Sequence, residues 1–335
     1  MKILVTGGAG FIGSNFIHYW LEHHPQDQVI NVDALTYAGH LSSLKDIEND
    51  PRYKFIKGDI TDEEIVRQAM EGVDVVVNFA AESHVDRSNI DPISFVRTND
   101  LGTIVLLEAA FQAGIKRFHH VSTDEVYGEL GLDDPPFTPD TPYDPNTIYA
   151  ASKAGSDHLV RAYFRSRGLP ITITNCANNY GPYQDPEKLI PRFIINLLTG
   201  KKVPLMGKGE EVREWLHAQD HCKGIDIVLK DGQPGETYLL QGEERTNLET
   251  TRAILKALGN DDSCIEFVPH RLGHDFRYAN DGSKLVALGW ERTHNFDEWL
   301  PKTVEWYQQN RRWWEPLLEG RPNVDASAQK AYEQY

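Results

Sequence analysis

Lys2-Ile3-Leu4-Val5-Thr6-Gly7-Gly8-Ala9-Gly10-Phe11-Ile12-Gly13, followed by an amphipathic run from Ser14 to His24, decides the fold. The first five residues read as a short apolar strand and the run beyond Gly13 has helical spacing, so the glycines occupy a strand-to-helix turn. Gly7 would allow the tight turn, Gly10 would let the main chain approach a pyrophosphate, and Gly13 would permit close helix–strand packing. Phosphates would then lie over the helix N-terminus beside Phe11 and Ile12, where unpaired N–H groups and the helix dipole favour anions. Glycine-rich turns also arise for packing alone, so the flanking chain must carry the reading. It does so at Asp33, which ends the next strand (Gln28 to Val32) twenty residues past Gly13. A carboxylate there accepts hydrogen bonds from adenosine ribose hydroxyls and repels a 2′-phosphate, which favours NAD over NADP. Ala34, Leu35 and Thr36 continue that strand-end loop and join the candidate cofactor contacts.

The same pattern repeats downstream. Tyr53 to Lys57 is a third strand, closing in Gly58-Asp59-Ile60; Asp59 either meets an adenine amino group, with Ile60 beside it, or caps a helix over Thr61 to Met70. Asp74 to Phe79 is a fourth strand, ending in Ala80-Ala81-Glu82-Ser83-His84, where small residues let a cofactor pass. His84 is either a site residue or an ordinary polar loop residue. Pro92 to Gly114, containing Thr98, reads as one long helix, and Lys116 to Ser122 and Leu169 to Cys176 as the fifth and sixth strands. Strands alternating with helices give an α/β, Rossmann-type doubly wound parallel sheet. An NAD-binding domain over 1–176 is expected, then a smaller α/β substrate domain over 177–315 with segments returning to the first, and a tail over 316–335.

The chain has 335 residues and a formal net charge of -16, which argues against a general nucleic-acid binder. Its three cysteines lack metal-ligand spacing and read as free thiols of a reducing cytosol, so no metal is expected. Lys2 to Thr6 runs straight into glycines rather than forming a secretory signal, and no apolar run reaches membrane-spanning length. A soluble, cytoplasmic protein is the expectation.

Ser122-Thr123-Asp124-Glu125-Val126-Tyr127-Gly128 lies where the fifth strand ends, the place where open parallel sheets bind ligands. By itself it reads as a capped turn. Two carboxyls beside a hydroxyl also suit paired acid and base chemistry if their environments separate their pKa values. Leu130 to Asn146, rich in Pro and Asp, reads as a surface loop or lid. Tyr149-Ala150-Ala151-Ser152-Lys153 then opens a helix to about Arg167. Tyr149 and Lys153, four residues apart, share a helical face, where the ammonium can lower the phenol's pKa for proton removal from a sugar hydroxyl. Helices are expected over Glu187 to Thr199, near His221 to Leu229, and over Leu248 to Leu258, Asp281 to Leu288 and Phe296 to Asn310. Strands are expected over Val203 to Met206 and Val212 to Leu216, and Trp313 and Trp314 are expected to pack back on the body.

Taken together, Gly7 to Gly13 (G-x-x-G-x-x-G), Ala80 to Ser88, Ser122 to Gly128, Tyr149 to Lys153, Asn178 to Tyr183 and Glu187 to Pro191 resemble the dTDP-glucose 4,6-dehydratase family of extended short-chain dehydrogenases. Thr123-Asp124-Glu125 is the most discriminating piece, because related epimerases lack the acidic pair. The resemblance implies tightly held NAD, a dTDP-glucose substrate and a homodimer joined through helices flanking the sheet. It implies that Asn178, Lys188, Leu189, Arg213 and Arg271 hold a nucleotide diphosphate, with Pro204 and Met206 near the base and Asn179, Asn247 and His274 nearby. It also implies that Thr123, Tyr149 and Lys153 oxidise C4 while Asp124 and Glu125 remove water across C5 and C6. His270, Leu272, Met206, Asp100 and Leu239-Leu240-Gln241-Gly242 depart from the family pattern. A dehydratase or epimerase on a UDP- or GDP-sugar, and a non-catalytic NAD or sugar-nucleotide sensor, are the alternatives.

Overall fold

A computed structural model describes residues 1–270 and 275–319. Strands β1 (Lys2–Thr6), β2 (Gln28–Asp33), β3 (Tyr53–Lys57), β4 (Val75–Asn78), β5 (Arg117–Thr123), β6 (Ile171–Cys176) and, after three strands outside this sheet, β10 (Thr237–Leu240) form one sheet. Its order is β10-β6-β5-β4-β1-β2-β3 and every pairing is parallel. The order reverses between β1 and β4, which opens a crevice beyond the strands' carboxyl ends. Helices cover both faces, so the inner strands bury almost completely, β1 and β4 as near-continuous apolar runs and β6 with polar Thr172, Thr174 and Asn175 also buried. One face packs Leu4, Val76, Leu106, Phe118 and Ile173; the other packs Ile3, Val77, Phe16 and Trp20.

The helix after the glycine turn begins earlier than its amphipathic run suggests, spanning Phe11–His23 with Gly10 as its N-cap. Asp62 caps the helix Glu63–Ala69 by accepting from the Glu64 and Ile65 N–H groups, which removes the helix-cap alternative for Asp59. The expected single helix over Pro92 to Gly114 is interrupted by a π-helical stretch, Val96–Gly102, between Pro92–Phe95 and Thr103–Ala113. On that stretch the Asn99 side chain accepts from the Glu82 N–H (2.9 Å) and donates to the Glu82 carbonyl (3.1 Å) and Ser152 Oγ (2.8 Å). It thereby clamps the loop after β4 to the helix Ile148–Arg167.

Of the two expectations for Leu130 to Asn146, the surface loop holds and the lid does not, because the stretch is pinned down. Leu130 and Phe137 bury against Val126, Tyr127 and Tyr278, and both bridge to main chain at Arg277 and Asn280. Two apolar anchors in an otherwise polar stretch suffice to dock it.

Beyond Cys176, β7 (Asn178–Tyr180), β9 (Val212–His217) and β11 (Glu243–Thr246) make a three-stranded sheet, and β8 (Val203–Met206) pairs with β12 (Ile265–Val268). These pack with the helices Leu189–Leu198, Asn247–Ala257, Phe296–Gln309 and Arg311–Leu318 around Tyr180, Phe193, Trp215 and Trp314. Trp313 closes onto the glycine-turn half, its indole N–H donating to Ser43 Oγ at 3.1 Å. The helix Ala218–Asp231 packs on Phe11–His23, and β10 extends the main sheet, so part of the later chain returns to the first half.

Candidate active site

A cavity of about 450 Å³ runs along the carboxyl ends of the main sheet and continues under β8 and β9. At one end lie Gly7, Gly10, Phe11, Ile12 and Gly13, with Asp33, Ala34, Thr36, Asp59 and Ile60 beyond them. Gly7 has φ +70°, and a Cβ on it would lie 2.6 Å from the Ala80 nitrogen. A Cβ on Gly13 would strike the Gly7 carbonyl at 2.3 Å, whereas one on Gly10 would meet only that oxygen at 3.2 Å and otherwise project into open space. That space, in front of a helix N-terminus with no side-chain cap, is a cradle of the kind a pyrophosphate fills.

Asp33 is buried, and burial pushes its carboxyl upward against the pull of two main-chain N–H groups. Ala9 donates to Oδ2 (2.9 Å) and Leu35 to Oδ1 (2.8 Å). Leu35, with φ +57°, does not line the cavity; its main chain braces Asp33. The middle wall is Ala80, Ala81, Ser83, His84 and Thr98. His84 is buried, with Nε2 3.6 Å from Glu187, whose carboxylate also takes two hydrogen bonds from Arg87.

Thr123, Asp124, Glu125, Tyr149 and Lys153 converge on the floor where β5 ends. The seven-residue turn is a short 3₁₀ helix, Asp124–Tyr127, capped by Thr123, whose Oγ1 accepts from the Glu125 N–H at 3.3 Å. Asp124 is buried, and its carboxyl is pushed up to about 7, chiefly by burial. The Asn280 hydrogen bond and the Arg213 charge pull it down, while Glu125 raises it. Thr147 caps the helix Ile148–Arg167 and sets Tyr149 and Lys153 one turn apart on its buried face. Replacing such a cap with Ala costs about 1 kcal/mol.

The electrostatics of Tyr149 differ from the sequence expectation. Burial first, then the Glu125 charge, holds the phenol well above its ordinary value, and the Thr123 hydroxyl pulls it back down. The Lys153 ammonium, itself made more acidic by burial, donates to the Val121 carbonyl (2.9 Å) and lies 3.4 Å from His120 Nε2. It is thus engaged behind the strand as well as lining the cavity.

The far end is lined by Asn178, Asn179, Lys188, Leu189, Pro204, Met206, Arg213 and Asn247. Arg213 is buried and held by three main-chain carbonyls: Val212 (2.8 Å), Phe276 (3.2 Å) and Asp275 (2.7 Å). Among the described residues it makes no ion pair, which suits it to an anion. The helix Leu189–Leu198 has no side-chain cap at its start, and the buried Oδ1 atoms of Asn178 and Asn247 lack partners among the described residues. Arg271 and His274 lie outside the described residues. Arg192, Glu82, Gly39 and Trp215 line the cavity without having been singled out. Arg192 was findable, one helical turn past Lys188. Among the departures, Asp100 is half-buried and pushed up to about 6 by burial, with the Lys153 charge pulling it down. Gly155 makes room for it: a Cβ there would lie 2.3 Å from Asp100 Oδ1.

A family model described as GDP-mannose 4,6 dehydratase matches residues 4–303. The dTDP-glucose 4,6-dehydratase of Mycobacterium tuberculosis H37Rv is 50% identical over 95% of this chain and 97% of its own. The low-salt glycan biosynthesis protein Agl12 of Haloferax volcanii is also 50% identical, over 92% and 98%. The crystal structure of the Streptomyces venezuelae dTDP-glucose 4,6-dehydratase DesIV, with NAD and TYD bound, superposes with a TM-score of 0.92 at 51% identity, covering 95% of this chain and all of that one. With the family model spanning most of the sequence and these relatives matching nearly end to end, the chain belongs to the dTDP-glucose 4,6-dehydratase family.

Proposed function

We propose that this chain converts dTDP-glucose to dTDP-4-keto-6-deoxyglucose with loss of water, as an NAD-dependent hydro-lyase. The observation that carries the reading is Asp124-Glu125 on the same floor as Thr123, Tyr149 and Lys153, with Asp124 buried and held at about 7. Simple oxidation at C4 needs only the latter three. An acidic pair with one member kept protonated supplies what elimination adds.

In this reading Tyr149 takes the proton of the C4 hydroxyl, and Thr123 hydrogen-bonds the same oxygen. Lys153 lends positive charge behind them. NAD held by the glycine turn and Asp33 would supply the hydride acceptor for C4 and the donor to C6, which would make the overall reaction redox-neutral. Once C4 is a ketone, the C5 hydrogen is acidic and Glu125 removes it. Asp124 donates its proton to the C6 oxygen, the C6–O bond breaks and water leaves. Glu125 then gives a proton back to C5. The proton on Tyr149 and the one missing from Asp124 balance before the next turnover. Arg213, Lys188 and the start of the helix Leu189–Leu198 face the diphosphate. The Asp33 carboxylate favours NAD over NADP.

Incubating the protein with dTDP-, UDP- and GDP-glucose and identifying products by mass spectrometry tests this. Loss of 18 mass units is expected with dTDP-glucose and at least tenfold slower with the other two. Epimerised product without mass loss, or no turnover, would remove the reading.

A homodimer is supported by exposed apolar side chains on two helical runs that pack together. Ile90 (49% exposed), Ile93 (76%), Val96 (54%) and Leu101 (49%) lie on residues 85–113, with Ile148 (37%) opening the helix Ile148–Arg167. Isolated apolar residues are common on surfaces, but a cluster of this kind marks an interface. Sedimentation is expected to give twice the 38.0 kDa chain mass, and Ile93→Glu with Val96→Glu to halve it. Three cysteines without disulfides support a cytoplasmic location.

A further inference from the structure

Behind Asp124, away from the cavity, a second buried carboxyl faces it across one amide. Asn280 Nδ2 donates to Asp124 Oδ2 at 2.8 Å and to Glu214 Oε2 at 2.7 Å. Asp124, Glu214 and Asn280 are 2%, 4% and 4% exposed, so water does not compete for these bonds. Both hydrogens of the amide are spent on carboxyl oxygens, and its own Oδ1 has no partner among the described residues. The amide therefore serves the carboxyls rather than its own oxygen.

We propose that Glu214 and Asn280 form a positioning unit for Asp124: the amide, itself fixed by Glu214, ties down Asp124 Oδ2 so that Oδ1 carries the proton lost to the substrate's C6 oxygen. This rests on the dehydratase reading above. Oδ2 takes the strong amide bond at 2.8 Å, whereas Oδ1 takes only a long contact from the Thr123 hydroxyl at 3.5 Å, which can turn to accept instead, so the Asp124 proton sits best on Oδ1. That atom is on the side of the residues that act at C4. When the C6–O bond breaks and the proton leaves as part of water, the new Asp124 carboxylate keeps its Asn280 hydrogen bond. It regains a proton in the same cycle in which Tyr149 gives one up, so no proton accumulates.

The two carboxyls are also coupled in their titration. Two carboxyls sharing one buried amide resist ionising together, because each negative charge disfavours the other. Burial, then the Asp124 charge, pushes Glu214 up to about 8, against hydrogen bonds from the Asn280 side chain and the Gly242 and Asn280 main-chain N–H groups. The other charged or titratable neighbours of Asp124 are Glu125, Arg213, Tyr149, Tyr127 and Cys176; Arg277 faces Glu214 from the opposite side. Arg277 is itself committed to Glu244, with contacts of 2.6 and 3.1 Å. As pH rises Asp124 ionises first, and its charge then keeps the proton on Glu214, so Glu214 stays neutral and holds the amide in place while Asp124 turns over.

The test is Glu214→Gln, which keeps size and burial but sets an amide NH2 against groups that all donate, the Asn280 side chain and the Gly242 and Asn280 main-chain N–H groups. Single-turnover rates of C4 oxidation (NADH absorbance) and of water loss (mass spectrometry) are measured against pH with dTDP-glucose. Water loss is expected to fall about tenfold across the pH range, with its alkaline limb in place and C4 oxidation changed less than twofold. Unchanged water loss, or equal loss of both half-reactions in folded enzyme, overturns the proposal. Should the variant not fold, infrared titration of the wild-type holoenzyme decides. A protonated-carboxyl band that is absent from Asp124→Asn and persists above neutral pH supports it; complete ionisation by pH 7 overturns it. Wild-type enzyme inactive on dTDP-glucose would defeat the parent reading; active wild type with unimpaired water loss in Glu214→Gln would defeat only this one.

Discussion

Glu125→Gln is expected to oxidise C4 of dTDP-glucose and stop there, accumulating NADH in a single turnover while water loss falls about 10³-fold. The amide keeps the side chain's size but cannot take a proton from C5, and a missing general base costs about 10²–10⁴ in rate. The first half-reaction should not suffer. The Glu125 charge is the second-largest influence holding the Tyr149 phenol above its ordinary value, after burial. Removing that charge lowers the phenol's pKa, so at any given pH a larger fraction is phenolate. C4 oxidation should therefore run as fast as in wild type or faster, with its pH dependence displaced toward acid. The Thr123 cap is untouched, since it rests on the Glu125 main-chain N–H rather than its carboxylate. Stopped-flow absorbance reads the NADH, and deuterium uptake at C5 of added product reads the base directly; it should vanish. Water loss at the wild-type rate, or failure of NADH to form, would remove Glu125 from this role.

The two carboxyls illustrate what could be read from the sequence and what could not. The sheet, its glycine turn and the line of strand-end loops were legible because they depend on local features: apolar runs of strand length, glycines at fixed offsets, and a carboxylate at the end of the second strand. Tyr149 and Lys153 were legible for the same reason, as one face of one helix. The environments of these groups were not. Asp124 is buried beside residues 90 and 156 positions away, Glu214 on β9 and Asn280 after the Tyr278-Ala279 segment, and no local spacing marks such an approach. Arg213 likewise owes its place to main-chain carbonyls of Asp275 and Phe276, more than sixty residues on. The π-helical stretch was hidden because its cause is tertiary. Asn99 has to reach both Glu82 and Ser152, and a continuous α-helix reads the same in sequence. The surface loop over Leu130 to Asn146 was legible from its proline and aspartate, but the same composition masked the two anchors, Leu130 and Phe137, that fasten it.

Tyr149→Phe should produce the opposite block. The ring stays: it packs edge-on to Phe95 at 6.3 Å in a small buried cluster with Val85, and Phe keeps that contact, so the fold should survive with little loss. What disappears is the only phenol among the residues that converge with Thr123 on the floor, and with it the acceptor for the C4 hydroxyl proton. NADH formation is expected to fall about 10³-fold, within the range that loss of a general base produces. Binding of NAD and of dTDP should change only several-fold, because the glycine turn and Arg213 lie at other ends of the cavity. A second measurement separates lost chemistry from lost structure. The 4-keto product already carries the carbonyl that acidifies C5, so its deuterium exchange needs Glu125 and a donor to the ketone oxygen but no base at C4. Thr123 remains as that donor. Tyr149→Phe should therefore retain exchange within about tenfold of wild type while oxidation is almost abolished, the mirror image of Glu125→Gln. Normal NADH formation would deny Tyr149 the base's role. Loss of exchange as severe as the loss of oxidation would mean that the phenol organises the whole floor rather than moving one proton.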